Sequence, residues 1–227
     1  MEQSIAMTVL DILLTYYPAF FQGLWVSMQL CLIIWLSGLV GGIALGALGA
    51  YRAATWGRLT HYVAFAFSAI PTLVILFWLH YPAQALVGVV INPFYTAAFA
   101  FSLVNVFAVG ELVRQAILDF PKQYMIAGRV CGLNTHDILR YIQLPLLFRQ
   151  LLPGLMTQQV VMLHATLFAS LISVEEIFRV AQRINSSIYR PVEIYTALAC
   201  FFLLVCLPIN LLAVHLKNTY TRDMSER

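Results

Sequence analysis

The chain of 227 residues is 61% hydrophobic and carries only 13 Lys or Arg against 10 Asp or Glu, a formal net charge of +3. Soluble domains are about half apolar and about a quarter charged, so this composition argues against a soluble globule and equally against disordered or collagen-like chains. The surroundings that such a chain calls for are lipid.

The charges are segregated along the sequence. None falls between Tyr17 and Tyr51 or between Val63 and Gly110, and each run exceeds the roughly 20 residues that cross a bilayer. Five spans are predicted, about Gln22–Ala50, Thr60–Val87 with Pro71 inside it, Asn92–Ala116, Leu151–Val174 and Pro191–Leu216. The first ten residues hold Glu2 but no basic residue, and no small-residue cleavage site follows a short apolar stretch, so the first span is expected to stay in the protein. The fold class expected is all-α: a polytopic membrane protein of about five transmembrane helices and one long loop, a single domain over 1–227.

Basic residues orient such a protein. Ten of the thirteen fall on one side: Arg52 and Arg58 in the first connection, Arg114, Lys122, Arg129, Arg140 and Arg149 in the segment of about 111–150, and Lys217, Arg222 and Arg227 in the tail. The other side has Arg179, Arg183 and Arg190, with Glu2 at the acidic N-terminus. The positive-inside rule therefore puts the N-terminus outside, with the long loop and the C-terminus in the cytoplasm. No basic face with interleaved aromatic residues points to nucleic acid.

Gly38, Gly42, Gly46 and Ala50 recur every fourth residue in the first span, a stripe of small residues that lets another helix approach closely. Cys31, Cys131, Cys200 and Cys206 lack paired spacing, so neither a disulfide framework nor a metal site is expected. In the long loop, Pro121 suits the first turn of a helix through Lys122, Tyr124, Ala127 and Val130, and Gly132 supplies a left-handed stop. Asn134 can cap a second short helix with Asp137 in a box-like position, which Pro145 should end. Two short helices joined by Gly132-Leu133 make a knob. With Met125, Leu133 and basic neighbours it has the form that docks into a partner's groove, while Arg129, Arg140 and Arg149 would equally suit anionic lipid headgroups.

The residues of this loop resemble a known pattern. Phe120-Pro121-Lys122, Ala127-Gly128-Arg129-Val130-Cys131-Gly132-Leu133-Asn134, Arg140-Tyr141-Ile142-Gln143-Leu144-Pro145 and Pro153 resemble the EAA loop of ABC transporter permeases, in detail the polar-amino-acid uptake type. Glu111 and Arg114 match that family's E-I-x-R motif. Glu176, Arg179, Ala181, Gln182, Pro191, Glu193 and Tyr195 match its P-E-L-x-R-x-A-Q and P-x-E-x-Y patterns, and Gln22-Gly23-Leu24 with Ser27 resembles its opening motif. The chain departs from the pattern where Ile126 replaces the loop glutamate, Gly128 the second alanine and Leu146 a glutamine. Likewise Ser68-Ala69-Ile70-Pro71 stands for R-G-T-P, Ile75 for a common glutamine, and His164-Ala165-Thr166-Leu167-Phe168 for K-D-T-S-L.

The resemblance implies a permease subunit in a bacterial inner membrane, coupled through Lys122, Ala127, Gly128, Arg129, Gly132, Leu133, Arg140 and Pro145 to a dimer of cytoplasmic ATPases. It also implies an extracytoplasmic solute-binding protein and a second permease subunit, for which the lost polar positions favour a heterodimer over a homodimer. No cofactor is expected on this chain. It lacks a G-x-x-x-x-G-K-[ST] loop, so ATP and Mg2+ belong to the partner ATPase.

The candidates for a substrate path or gate are His164, Thr166, Thr157, Pro71, Glu111 and Arg114. His164 is the titratable group deep in the fourth span, with Thr157 one heptad earlier; it binds substrate on the path, relays protons or hydrogen-bonds a neighbouring helix. Glu111 and Arg114 form either a local ion pair or a gate. Arg179, Arg183 and Arg190 beside Glu175, Glu176 and Glu193 read as a solvated outer loop, half of it an amphipathic helix, that could meet the binding protein. Two other classes stay open: a membrane-embedded enzyme, for which His164 has no acidic or histidine partner at i+4, and a non-transporting scaffold of permease ancestry.

Overall fold

The computed structural model describes residues 9–52 and 56–225, without the side chains of residues 10 and 221–225. The predicted outward position of Glu2 and the side chains of Arg222 and Arg227 lie outside the described residues. Among those described the protein is helical without strands: α1 (Val9–Thr15), α2 (Tyr17–Tyr51), α3 (Arg58–Ala69), α4 (Thr72–His80), α5 (Pro82–Val87), α6 (Pro93–Leu118), α7 (Lys122–Val130), α8 (Thr135–Ile138), α9 (Leu144–Ala165), α10 (Ile177–Ile188) and α11 (Pro191–Ser225). A π-turn, Leu139–Gln143, joins α8 to α9, and a 3-10 segment, Thr166–Ile172, extends α9.

Four stretches are long and apolar enough to cross a membrane, Tyr17–Tyr51, Pro93–Leu118, Thr135–Ile172 and Pro191–Tyr220, and the broken stretch from Arg58 to Val87 makes a fifth if counted as one span. The predicted second span is therefore corrected to helices interrupted at Ile70-Pro71. Pro71 cannot donate a backbone hydrogen bond; it caps α4 instead, its carbonyl accepting from Val74 and Ile75 at 2.8 and 3.2 Å.

The chain divides into two compact units. The first comprises the segments up to Leu36, Pro71–Ser102 and Val161–Pro208. Its core gathers Ile12, Ile177, Val180, Ala181, Ile184, Ile194 and Leu198, with Phe20 and Phe201 against them. Helix α10 contributes Ile177, Val180, Ala181 and Ile184, the i, i+3, i+4, i+7 stripe of an amphipathic helix. A Cβ on Gly23 would lie 2.8 Å from Val180 Cγ2 and 3.1 Å from Ile177 Cα, so glycine is what lets α2 and α10 touch.

The second unit comprises Ser37–Ile70, Leu103–Val160 and the chain from Ile209 on. Here the small-residue stripe of α2 packs on α6, as its spacing predicts: a Cβ on Gly42 would stand 2.6 Å from Val109 Cβ, and one on Gly46 2.7 Å from Val113 Cβ. Asn105, fully buried under Gly38, donates to Gln159 Oε1 at 3.0 Å and accepts from Gln158 Nε2 at 3.4 Å. A buried amide bonded across helices in this way ties α6 to α9 without leaving the Asn105 side chain unpaired in the bundle.

The knob forms in this unit with two corrections. Pro121 is the N-cap of α7 rather than its first turn, and α7 ends at Val130, with Gly132 at φ 78° in the left-handed region. Asn134 caps α8 as expected, its Oδ1 accepting from the Asp137 N–H at 2.9 Å while its amide donates to Asp137 Oδ2 at 2.6 Å. Pro145, however, does not end the helical run. The π-turn, closed by the Leu144 N–H on the Leu139 carbonyl, absorbs the irregularity and leaves Pro145 in the first turn of α9, where its missing N–H is not required.

Candidate coupling surface and intramembrane cavity

Gly128 seats α7 on the helical run that follows it. A Cβ there would meet Ile138 at 2.9 Å and Ile142 at 3.1 Å, so only a residue of minimal bulk lets the two pieces of the knob close. Met125 is half-buried and turns inward on the cluster of Ala116, Phe120 and Leu147, which corrects its predicted place on the docking face. The protruding apolar side chains are Ile126, Val130, Leu133 and Tyr141, with Val130 82% exposed. Lys122, Ala127, Arg129, Gly132 and Arg140 are exposed on the same knob, and the Arg140 guanidinium lies 5.8 Å from the Tyr141 ring centroid. Pro145 is exposed at the start of α9. An apolar patch rimmed by cations is chemically suited to an amphipathic partner groove.

Glu111 and Arg114 form the predicted pair on α6, Arg114 Nε reaching Oε2 at 2.8 Å and Nη2 reaching Oε1 at 2.6 Å. Two further groups join it. Gln115 donates to Glu111 Oε1 at 2.7 Å, and His61 Nδ1 of α3 stands 3.0 Å from the same oxygen and 3.2 Å from Arg114 Nη2. Gln115 was legible at i+4 from Glu111. His61, fifty positions upstream on another helix, carried no local signal.

This cluster sits at the edge of a cavity of about 400 Å3 between α3, α6 and α9, whose wall includes Phe65, Phe67, Ser68, Phe107 and Gln158. Phe67 and Phe107 stack with centroids 4.9 Å apart. A volume of this order suits a small solute, and the wall combines apolar rings with a few polar ends.

The other predicted path residues are not gathered around this cavity. The Thr157 hydroxyl donates to its own helix at Pro153 O, 3.1 Å, and Pro71 serves as the α4 cap. In the first unit, Thr166 is buried and donates to Leu163 O at 2.7 Å. Thr166 borders an apolar cavity of about 470 Å3 together with Trp25, Ser27, Cys31, Trp35 and Phe202. His164 is exposed and packs edge-on against Phe202 of α11, centroids 6.2 Å apart, without a hydrogen bond among the described residues.

Glu176 requires a correction. It is not part of a solvated loop: it is fully buried and caps α10, accepting from the Phe178 N–H at 2.9 Å and the Arg179 N–H at 2.8 Å. Ser27 of α2 completes the joint. Its hydroxyl oxygen accepts from the Ile177 N–H at 3.1 Å, and its one proton lies within reach of Gly23 O at 3.1 Å and Glu176 Oε2 at 3.5 Å. Burial pushes the Glu176 carboxyl up to about 7, the two backbone donors and Ser27 pulling the other way. Glu175 stays exposed and pairs with Arg183 at 3.1 Å and Arg179 at 4.0 Å, and Arg190 pairs with Glu193 at 3.3 Å.

A family model described as "Binding-protein-dependent transport system inner membrane component" matches residues 38–222. The chain is 30% identical over 193 residues to the glutamine transport system permease protein GlnP of Escherichia coli (strain K12), covering 82% of this chain and 88% of that one. It is 30% identical over 201 residues to the L-cystine transport system permease protein TcyB of Bacillus subtilis (strain 168), covering 87% and 84%. Among solved structures, a crystal structure of an amino acid ABC transporter with histidines matches with a TM-score of 0.81 at 21% identity, over 95% of this chain and 100% of that one. An inward-facing MetNI methionine ABC transporter matches at 0.71 and 16%, over 91% and 98%; at these identities both structures bear on the fold.

Proposed function

Because the chain belongs to the family of binding-protein-dependent transport system inner membrane components, we propose that it is the permease subunit of an ATP-driven importer of polar amino acids or related small solutes. The observation that carries this reading is the knob of α7 and α8. It presents Ile126, Val130, Leu133 and Tyr141 among Lys122, Arg129 and Arg140, and it continues through the π-turn into membrane-crossing α9. A partner that grips this knob acts directly on a membrane helix. ATP hydrolysis supplies the driving energy on a separate ATPase chain holding ATP and Mg2+. The task of this chain is to receive a displacement at the knob and change the access of the cavity beside α9.

In this reading a second permease subunit, preferably different in sequence, completes the path. The N-terminus faces outside and the knob and C-terminus face the cytoplasm, consistent with the distribution of basic residues. Helix α10 then lies outside, where Arg179 and Arg183 are available to an extracytoplasmic solute-binding protein. Pro71, Thr157, His164 and Thr166 contribute to the lining or support of the path, and Glu111 with Arg114 to its gate. The test is uptake of radiolabelled L-glutamine by proteoliposomes holding the chain co-purified with its co-encoded partners. Uptake that needs both ATP and the binding protein is expected; an assembled complex that takes up neither L-glutamine nor any other amino acid or small solute of a broad panel would make the chain a scaffold.

A further inference from the structure

The cavity between α3, α6 and α9 lies wholly within this chain, and its ionised groups neutralise one another. Glu111 is the one carboxylate in its wall among the described residues. Arg114 engages both of its oxygens, at 2.6 and 2.8 Å, Oε1 also accepts from Gln115 at 2.7 Å, and His61 Nδ1 stands 3.0 Å from the same oxygen. A carboxylate offers about four lone-pair sites, so little of this one is left for an incoming ammonium or guanidinium. Arg114 is not part of the wall, and its guanidinium is turned to Glu111 through both Nε and Nη2. The rest of the wall offers the stacked rings of Phe67 and Phe107, with Phe65, Ser68 and the Gln158 amide. A charged side chain entering this space would leave water without meeting an uncommitted counter-charge, whereas an uncharged one meets rings and the amide oxygens of Gln115 and Gln158, whose Nε2 groups already donate to Glu111 and Asn105.

We propose that this cavity is a binding site for amino acids whose side chains carry no charge, with the ammonium and carboxylate of the ligand held toward the open side along Phe65 and Ser68. The inference rests on the amino-acid importer reading and adds the substrate class. Selectivity comes from the internal pairing of Glu111 with Arg114, which removes both signs of charge from the recognition surface. Ser68 is the exposed polar position on the wall where a new cation can be introduced without touching that pair.

The experiment is calorimetric titration of the full chain in lipid nanodiscs with L-glutamine, L-arginine and L-glutamate. L-Glutamine should bind at least about tenfold more tightly than either charged probe. S68R should then improve L-glutamate relative to L-glutamine by about tenfold or more, with the melting temperature of the disc-embedded chain showing that it is folded. Wild-type chain that binds L-arginine or L-glutamate as tightly as L-glutamine overturns the inference alone, as does a folded S68R with an unchanged ratio. Wild-type chain that binds none of the three overturns the amino-acid reading and this inference with it.

Discussion

Replacing Glu176 by glutamine tests the buried joint between α2 and α10 through its pH dependence. In the folded chain the carboxyl titrates at about 7, against an ordinary value of 4.5. Between those values the folded state holds a proton that the unfolded chain has lost. The stability present at lower pH is therefore given up as the pH rises through about 7. At about 1.4 kcal/mol per pH unit of separation the loss is about 3–4 kcal/mol, or about 7–14 °C in melting midpoint for a chain of this size. E176Q has no such titration. Its amide nitrogen faces one of the two backbone donors of α10, so the cap is weakened by about 1 kcal/mol at every pH. Thermal melts of purified wild type and E176Q between pH 4.5 and 8.5 should show the wild type ahead at the acid end and its lead lost or reversed at the alkaline end. A constant offset between the two curves would refute the reasoning, because a carboxyl that titrates alike in both states contributes no slope.

Three further substitutions separate packing from coupling. G42L places a branched side chain where even a Cβ would stand 2.6 Å from Val109 Cβ; overpacking of about 1–3 kcal/mol or more should appear as a lower melting midpoint and less chain recovered from the membrane. G132V forces a β-branched residue into the left-handed turn at φ 78°, a cost of about 1 kcal/mol or more. Because nothing contacts that position within 4 Å, the chain should still insert while pull-down of the ATPase weakens, and unchanged pull-down would remove the knob as its docking site. H164A deletes a ring contact with Phe202 and no hydrogen bond, so the melt should shift by about 1 kcal/mol or less. A transport defect at an unshifted melt would place His164 on the path.

Features whose cause is local were readable from the residues. Asn134 and Gly132 bracket the knob because a cap and a left-handed stop act within a few residues, and Gly42 and Gly46 mark a packed face because their period is that of a helix. The Glu111–Arg114 pair was visible for the same reason. What escaped depends on distant parts of the chain. Ser27 and Glu176 are 149 positions apart, and a glutamate among arginines in a connecting segment reads as solvated until its partner on α2 is known. His61 joins Glu111 from fifty positions away. Pro145 read as a terminator because the rule for proline considers one missing hydrogen bond. A π-turn just upstream, which no short pattern announces, places the same proline in a first turn.

That π-turn also fixes a direction. Each residue of an α-helix advances the chain by about 100° and 1.5 Å, and a π-turn carries one residue more than the flanking helix would. Deleting a single residue between Leu139 and Gln143 would remove that extra residue and run α8 into α9 in α-helical register, with Pro145 then costing the merged helix one hydrogen bond. The face that α7 and α8 offer a partner would then swing by about 100° about the axis of α9, although every side chain from Lys122 to Ile138 stayed the same. The bearing of the candidate coupling surface is thus set by a residue count, so insertions and deletions within this turn would re-aim it far more than substitutions would.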